Sequence, residues 1–177
     1  MKTKPTTAIA AACGIFLLLF VVFNYFEFGF IIVVGESMEP ALYGGEWFLT
    51  QNVPTAGRKP NRGDIVVIAR PRRLVVKRVI GLPGETILIN KNKIIVKNFH
   101  NPGGALLKEA YVKYVWIPTE NLTTELTGKK YFVLGDNRTV SLDSRDYGPI
   151  NEHEINQFVL FLVWPLSKIG PVVVPAY

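Results

Sequence analysis

The stretch RRLVVKRVIGLPGE, from Arg72 to Glu85, shows the pattern that decides the fold class. Its run Leu74–Ile80 is rich in β-branched residues, which favour strands because they pack well on a pleated surface. The triplet Leu82-Pro83-Gly84 that follows is typical of a turn. Together these features predict a short strand that ends in a tight turn.

The same succession of short β-like runs and turn signals continues along most of the chain, for example at Tyr43-Gly44-Gly45 and Asn61-Arg62-Gly63. Many short strands with little room for helix predict a mainly β fold, built as an antiparallel sheet or barrel. The predicted strands are Phe28–Val34, Glu46–Thr50, Asp64–Ala69, Leu74–Ile80, Thr86–Ile89, Lys93–Val96, Tyr111–Trp116, Tyr131–Leu134 and Phe158–Trp164.

Three further segments have their own signals. Asn98–Gly104 has the composition of an exposed loop, and Asn151–Asn156 is predicted to form one short helical turn. The apolar run Phe158–Leu166 is only nine residues long. It is therefore too short for a helical membrane span, and we expect a buried strand.

The composition limits the classes of protein that fit. The chain has 177 residues, which suits one folded domain, and hydrophobic residues make up 49% of it against 19% charged. The net charge of +6 suits work beside anionic lipid better than binding of nucleic acid, because the basic residues are scattered. A lone cysteine, Cys13, excludes an intrachain disulfide, and we expect no metal and no cofactor.

The N-terminus carries a long apolar segment. Ala8–Phe26 contains no charge and no proline over nineteen positions. As a helix it would extend about 28 Å, close to the ~30 Å hydrocarbon core of a bilayer. We therefore expect a transmembrane anchor over residues 1–26 and a β-domain over residues 27–177.

A cleavable secretory signal is the alternative for this segment, since it would share the basic start and the apolar middle. Such a signal should be followed by small residues at alternate positions, and Asn24–Phe28 has none of them. The sequence thus favours an uncleaved anchor. Lys2 and Lys4 precede the span, so the positive-inside rule predicts a cytoplasmic N-terminus and an extracytoplasmic domain at the plasma membrane.

Lys77 has an unusual setting. Strand alternation places it on one face with Val75 and Val79. Two readings are open. Such a lysine either protects a strand edge by pointing to solvent, which the local pattern alone favours, or it is an amine held in an apolar pocket. Burial would lower its pKa and leave a neutral general base.

Ser37, in VVGESMEP (Val33–Pro40), also has two readings. Gly35 and Pro40 suit a turn in which the serine has no chemical role. Alternatively, Ser37 is a nucleophile that a neutral lysine activates by taking its proton.

The run GDNRTVSLDSRDYG, Gly135–Gly148, is the third candidate segment. Its polar composition fits an exposed loop, but its hydroxyls could also orient a buried amine without recharging it.

Taken together, the three segments resemble the type I signal peptidases, serine proteases with a Ser/Lys dyad. GESMEP with Leu42 is similar to the family's nucleophile motif, RRLVVKRVIGLPGE to its lysine motif, and GDNRTVSLDSRDYG to its most diagnostic motif. The three occur in the family's order along the chain.

The resemblance implies a role for each matching residue. Ser37 would be the nucleophile and Lys77 its general base, while Met38 would line the site and Ser141 would orient the lysine. Two structural ion pairs would support the site, Asp143 with Arg145 and Arg78 with Asp136. Some members add an oxyanion-hole serine two residues before the nucleophile; here that position is Gly35, so we expect backbone donors.

The resemblance also implies an activity and its partners. The expected substrates are exported preproteins with small residues at the first and third positions before the cut, delivered by the export machinery. Membrane lipid is a further expected partner, because Phe28 and Phe30 share one face just before the nucleophile. That face could equally be core packing.

Three rival functions stay open at this stage. A self-cleaving repressor-type domain would need a DNA-binding helical domain and no span, which is the reverse of this sequence. A conjugation-pilus maturation peptidase would use a similar dyad. An anchored β-domain that only binds exported proteins would make Ser37 and Lys77 dispensable.

Overall fold

A computed structural model describes residues 5–25, 27–91, 93–113 and 121–175. Two helices are described, α1 (Pro5–Tyr25) and α2 (Ser144–Tyr147), together with three short 3-10 turns at Pro54–Ala56, Glu152–Glu154 and Leu166–Lys168. The described strands are β1 (Phe28–Ile32), β2 (Trp47–Asn52), β3 (Ile65–Arg70), β4 (Arg73–Gly81), β5 (Thr86–Asn90), β6 (Lys93–Asn98), β7 (Asn101–Leu106), β8 (Leu122–Glu125), β9 (Lys130–Leu134), β10 (Ile150–Asn151), β11 (Ile155–Trp164) and β12 (Gly170–Pro171).

The apolar N-terminal segment forms helix α1. Its stretch Ala8–Tyr25 has a mean hydropathy of 2.3, and none of it is buried against the rest of the protein. Among the described residues this is the one helix whose length and composition suit a membrane span. Phe23 near its end packs on β1, with ring centroids 5.6 Å from Phe28 and 6.0 Å from Phe30.

The strands form two antiparallel sheets, so the predicted mainly β class is confirmed. The larger sheet has the order β1-β2-β11-β3-β4-β9-β10, with β12 beside β11. The smaller sheet has the order β7-β6-β5-β8. Strand β4 lies deep in the larger sheet, where Lys77 is opposite Val66 of β3 and Arg78 is opposite Leu134 of β9.

At the end of β4, successive side chains point to opposite faces and enter two different hydrophobic cores. Val79 is buried in a cluster with Val66, Ile68 and Phe158 within the larger sheet. Its neighbour Ile80 points to the other face and enters a cluster with the smaller sheet. A third cluster lies beneath the chain that follows β1; its members include Val33, Met38, Leu42 and Phe48.

Most predicted strands are present, but the exposed loop predicted at Asn98–Gly104 is confirmed only at Phe99 and His100, which form an exposed turn. Strand β7 occupies Asn101–Leu106 and pairs with β6. Because β7 is a largely exposed edge strand, its side chains carry no hydrophobic alternation, and backbone pairing alone defines it. Strand β8 was missed for the same reason, since its four residues alternate only between half-buried and exposed.

Three other predictions have mixed outcomes. The helical turn expected within Asn151–Asn156 is present as Glu152–Glu154. Phe158–Leu166 lies largely in β11, but burial is confined to its start, since Trp164 is 52% exposed. No strand forms at residues 111–113, and residues 114–116 of the predicted strand Tyr111–Trp116 lie outside the described residues. The division into residues 1–26 and 27–177 stays a prediction.

We predict that Gly81→Ala destabilises the junction between the sheets. A Cβ atom at Gly81 would lie 2.6 Å from Leu126 Cδ1 and 2.7 Å from Ile87 Cδ1, both in the packed core. Overpacking of this kind costs about 1–3 kcal/mol. Urea unfolding should show this loss in the free energy of unfolding.

Gly103→Ala is the matched control, because the nearest atom to its new Cβ would be Asn101 Oδ1 at 3.8 Å. We expect a change below about 0.5 kcal/mol there. Equal losses in both variants would contradict the packing argument.

Candidate active site

Ser37 lies in a turn that is anchored to the core beneath it. Beyond β1 the chain turns sharply, with the Glu39 amide donating to the Glu36 carbonyl and the Leu42 amide donating to the Met38 carbonyl. Met38 and Leu42 are each only 1% exposed, in the same cluster as Phe48. Ser37 itself is half-buried. The turn is therefore a fixed platform and not a mobile loop.

Lys77 comes from the middle of β4 and meets this serine directly. Its Nζ lies 3.0 Å from Ser37 Oγ, and the residue is only 4% exposed. The solvent-facing alternative for Lys77 is thus wrong, because the residue is almost completely buried. This proximity of amine and hydroxyl is the central feature of the site.

The setting of Lys77 changes its titration. Burial lowers its pKa from 10.5 to about 8, because the charged form is poorly solvated there. Asp143 acts in the opposite direction, whereas the positive charges of Arg73 and Arg145 lower the pKa further. A substantial neutral fraction therefore exists near neutral pH.

The loop after β9 packs against the serine turn. The Asn137 amide donates to the Ser37 carbonyl at 3.0 Å. Gly135 is required by close approach, since a Cβ there would lie 2.2 Å from Ser141 Oγ and 2.5 Å from the Ser37 carbonyl oxygen. The glycine that opens this motif is therefore required by close packing of the loop against the serine turn.

Ser141 lies in the same loop, and the residue is 8% exposed. Its Oγ is buried and forms no hydrogen bond with any other described residue. The contact with Lys77 that the resemblance implies is therefore not made in this structure, although the hydroxyl lies close to Gly135. An orienting role for Ser141 remains a prediction.

Two buried ion pairs hold the surrounding backbone. Asp143 and Arg145 form a bidentate pair, with Nε–Oδ1 and Nη2–Oδ2 distances of 2.8 Å, and Asp143 Oδ2 also accepts from the Gly135 amide at 3.0 Å. Arg78 and Asp136 form a second, at 2.8 Å and 2.7 Å. Their side chains are 1% and 0% exposed. The Asp143–Arg145 pair stabilises the loop internally, and the Arg78–Asp136 pair connects the loop to β4.

A third pair was missed by the sequence analysis. Arg138, which is 4% exposed, donates from Nε to the Gly135 carbonyl at 2.9 Å and from Nη1 to Glu109 Oε2 at 3.0 Å. Glu109 lies in the segment between β7 and β8 of the smaller sheet, with no motif around it. Only the burial of an arginine in the loop could have indicated that a distant acid is required.

A groove of about 780 Å³ passes over Ser37 and Lys77. One wall is the end of β1 and the turn after it, and the other is the first half of β4. Apolar side chains dominate its lining; they include Ile31, Val33, Met38, Val67, Val75, Val76, Val140 and Leu142. Gly35 adds no side chain, and its φ of +88° suits glycine.

Within the described residues, no group of three or more His, Cys, Asp or Glu side chains is placed to hold a metal ion. The reactive groups that the site brings together are the Ser37 hydroxyl and the Lys77 amine. A serine hydroxyl beside a partly neutral amine is an arrangement in which the amine can activate the serine as a nucleophile.

Comparison with known proteins defines the family. The family model described as signal peptidase, peptidase S26, matches residues 6–164. Signal peptidase I of Bacillus amyloliquefaciens is 31% identical over 175 residues, covering 95% of each chain. Signal peptidase IB of Staphylococcus aureus is 33% identical over 182 residues, covering 95% of this chain and 94% of its own.

A solved structure, signal peptidase I from Enterococcus faecalis, is 31% identical. Its TM-score is 0.46, and the match covers 55% of this chain and 94% of that one. From the family match and the relatives, the chain belongs to the signal peptidase family, peptidase S26. The family expected from the three motifs is confirmed.

We predict that Lys77→Met raises stability at neutral pH. A folded-state pKa of about 8, below the ordinary 10.5, means that protonating Lys77 opposes folding. The full penalty, about 3 kcal/mol at most, applies below pH 8 and disappears as pH rises to 10.5. Denaturant unfolding across this range should show the variant's advantage shrinking with rising pH.

Lys129→Met is the control, because that side chain is 79% exposed. It should show no such pH-dependent gain. A Lys77→Met protein that is less stable than the wild type at pH 7 would contradict the argument.

Proposed function

We propose that this protein is a membrane-anchored endopeptidase that removes N-terminal signal peptides from exported preproteins, with Ser37 as nucleophile and Lys77 as general base. The observation that carries the proposal is the 3.0 Å approach of Lys77 Nζ to Ser37 Oγ, with the amine buried. Membership of the signal peptidase family and the names of its relatives supply the substrate class.

The groove suits an extended peptide. The pairings of β4 place Arg73–Arg78 against β3, while β9 meets β4 only from Arg78 onward. Among the described strands, the first half of β4 therefore has one unpaired edge, and β1 has another because it pairs only with β2. A substrate strand between these edges would form backbone hydrogen bonds to both.

The alternating side-chain directions of an extended substrate then explain the selectivity for small residues. In an extended chain, the first and third residues before the cut point to the same side. On that side Val33, Met38 and Val76 close the groove, and Met38 is already packed at 1% exposure. Small side chains fit this shallow wall, whereas larger ones would clash with it.

The reaction then proceeds in two stages. Neutral Lys77 takes the Ser37 proton, the serine oxygen bonds to the scissile carbonyl carbon, and Lys77 returns the proton to the leaving amine as the C–N bond breaks. Lys77 next takes a proton from water, whose oxygen attacks the acyl-enzyme. The signal peptide leaves with a new carboxylate, and Ser37 recovers its proton. Backbone amides near the turn would stabilise the oxyanion.

We expect Ser37→Ala and Lys77→Ala each to abolish preprotein cleavage, with losses of at least about a thousandfold in kcat/KM. Cleavage would be followed by the size shift of a preprotein in detergent or vesicles. Wild-type activity should rise as pH increases through about 8, since the reactive form is the neutral amine. Ser167→Ala, in the 3-10 turn Leu166–Lys168, serves as a control serine.

Retained cleavage in either dyad variant would remove the proposed mechanism. Correctly folded variants are required for this conclusion, and circular dichroism on each purified protein provides that check.

We also propose that an apolar face of the larger sheet lies against the bilayer, with α1 as the anchor. Phe30, Ile32 and Val34 are 57%, 52% and 91% exposed. Ile32 pairs with Trp47, which pairs with Trp164, and the two tryptophans are 46% and 52% exposed. Phe28 is half-buried against Phe23, so the expected lipid face begins at Phe30.

The position of this face supports the idea. It continues from the helix contact at Phe23 to the turn that carries Ser37. Trp is favoured at lipid interfaces because its ring is amphipathic. The cleavage site of a signal peptide would then meet the nucleophile near the membrane surface, with the N-terminus of the protein on the cytoplasmic side.

We expect a protein lacking residues 1–25, with Ile32 and Trp47 both changed to Ser, to bind phospholipid vesicles several-fold more weakly than its parent, since about 50% of each side chain is exposed. Vesicle sedimentation would measure the bound fraction. Phe99→Ser is the matched control, because Phe99 is 93% exposed but lies on the smaller sheet's side of the chain. Unchanged binding in the double variant would refute the orientation.

A further inference from the structure

A second, smaller cavity opens beside the catalytic groove. It has a volume of about 230 Å³ and lies where the β3-β4 hairpin faces α2. Arg73, Val75 and Leu142 line both this cavity and the groove, so the two lie side by side. Its remaining lining comes from Arg70, Pro71 and Tyr147. The volume is several times the ~30 Å³ of a water molecule, so a side-chain head group fits.

Two polar atoms of residues that line this cavity have no hydrogen-bond partner of normal geometry among the described residues. They are Arg70 Nη2 and the Tyr147 hydroxyl; both are screened from bulk water, and the two side chains interact with each other. The guanidinium of Arg70 is held in place, with its carbon 4.1 Å from the centre of the Tyr147 ring and Nη1 donating to Glu154 Oε1 at 2.7 Å. Buried polar groups are almost always satisfied, so two atoms without a normal hydrogen bond require an explanation.

The charges around the cavity favour an oxygen acceptor. Arg70 Nη2 and the Tyr147 hydroxyl can both donate, and Arg73 is exposed with no ion-pair partner among the described residues. The nearby acids are already engaged: Glu154 with Arg70, Asp143 with Arg145, and Asp146 with the Asp143 amide at 2.9 Å. A cationic side chain would thus face the positive charges of Arg70 and Arg73, and no acid in the cavity lining would offset them.

We propose that this cavity is a polar subsite for the substrate, which takes a side chain ending in a carboxylate or carboxamide from a residue near the cleavage site. The inference rests on the proposed peptidase function and adds a specificity that the apolar groove does not supply. Leu142, at 54% exposed, and the exposed Arg73 line both the cavity and the groove, so the head group would enter from the groove past these two side chains.

The test uses the full-length protein in detergent and a set of synthetic signal-peptide substrates. In each peptide one position flanking the cut carries Ala, Glu, Gln or Lys, and kcat/KM is measured for each. At one position we expect Glu and Gln to exceed Ala by about three- to tenfold and Lys to fall below it. If all peptides are cleaved and the rates do not depend on the varied side chain, the subsite proposal is overturned. The proposed peptidase function would then remain intact.

Two variants then locate the preference. Arg70→Gln and Tyr147→Phe should bring the ratio of Glu to Ala, measured within each variant, close to one. Tyr147→Phe removes a single oxygen, so it tests the subsite even if Arg70→Gln fails to fold. Arg72→Met is the control, because Arg72 lies exposed at the hairpin tip outside the cavity lining.

The remaining outcomes are equally clear. A ratio that collapses in Arg72→Met as much as in Tyr147→Phe would overturn the proposal, because a general field of the hairpin charges would then explain the preference. Failure of the wild type to cleave any peptide would instead overturn the peptidase function on which the subsite rests.

Discussion

The hydrogen bond from the Asn137 amide to the Ser37 carbonyl is the contact on which the site depends. It joins the turn after β1 to the loop after β9, which are far apart in sequence. The approach is so close that residue 135 has to be glycine. Because Lys77 enters from β4, beneath both segments, any shift between them would change its 3.0 Å distance from Ser37.

The environment of Lys77 balances opposing effects. An apolar strand position removes water from the amine, and this dominates its lowered pKa. Asp143 would recharge the amine if its carboxylate were free, but Arg145 and the Gly135 amide occupy both oxygens. The ion pair thus has an electrostatic effect as well as a structural one, because Arg145 lowers the pKa of Lys77 and so opposes the rise that Asp143 causes.

Much of this arrangement could be predicted from the sequence. The resemblance of the three motifs to the signal peptidase family placed Ser37, Lys77 and the Gly135–Gly148 loop in one site, and the β-branched run Leu74–Ile80 predicted the correct strand. The burial of Lys77 could not be predicted from the strand pattern alone. Alternation places Val75, Lys77 and Val79 on one face, but it does not tell whether that face is exposed to solvent or buried. Strand β7 and the Glu109–Arg138 pair escaped prediction because neither leaves a periodic pattern.

The Glu109–Arg138 pair connects catalysis to the architecture of the whole domain. Glu109 follows β7 of the smaller sheet. Arg138 donates hydrogen bonds both to Glu109 and to the Gly135 carbonyl. Ile80 and Phe132, from the larger sheet, share a core with that smaller sheet. The two sheets should therefore melt as one cooperative unit, and a fluctuation that opens the smaller sheet would disorder the nucleophile's support in the same event.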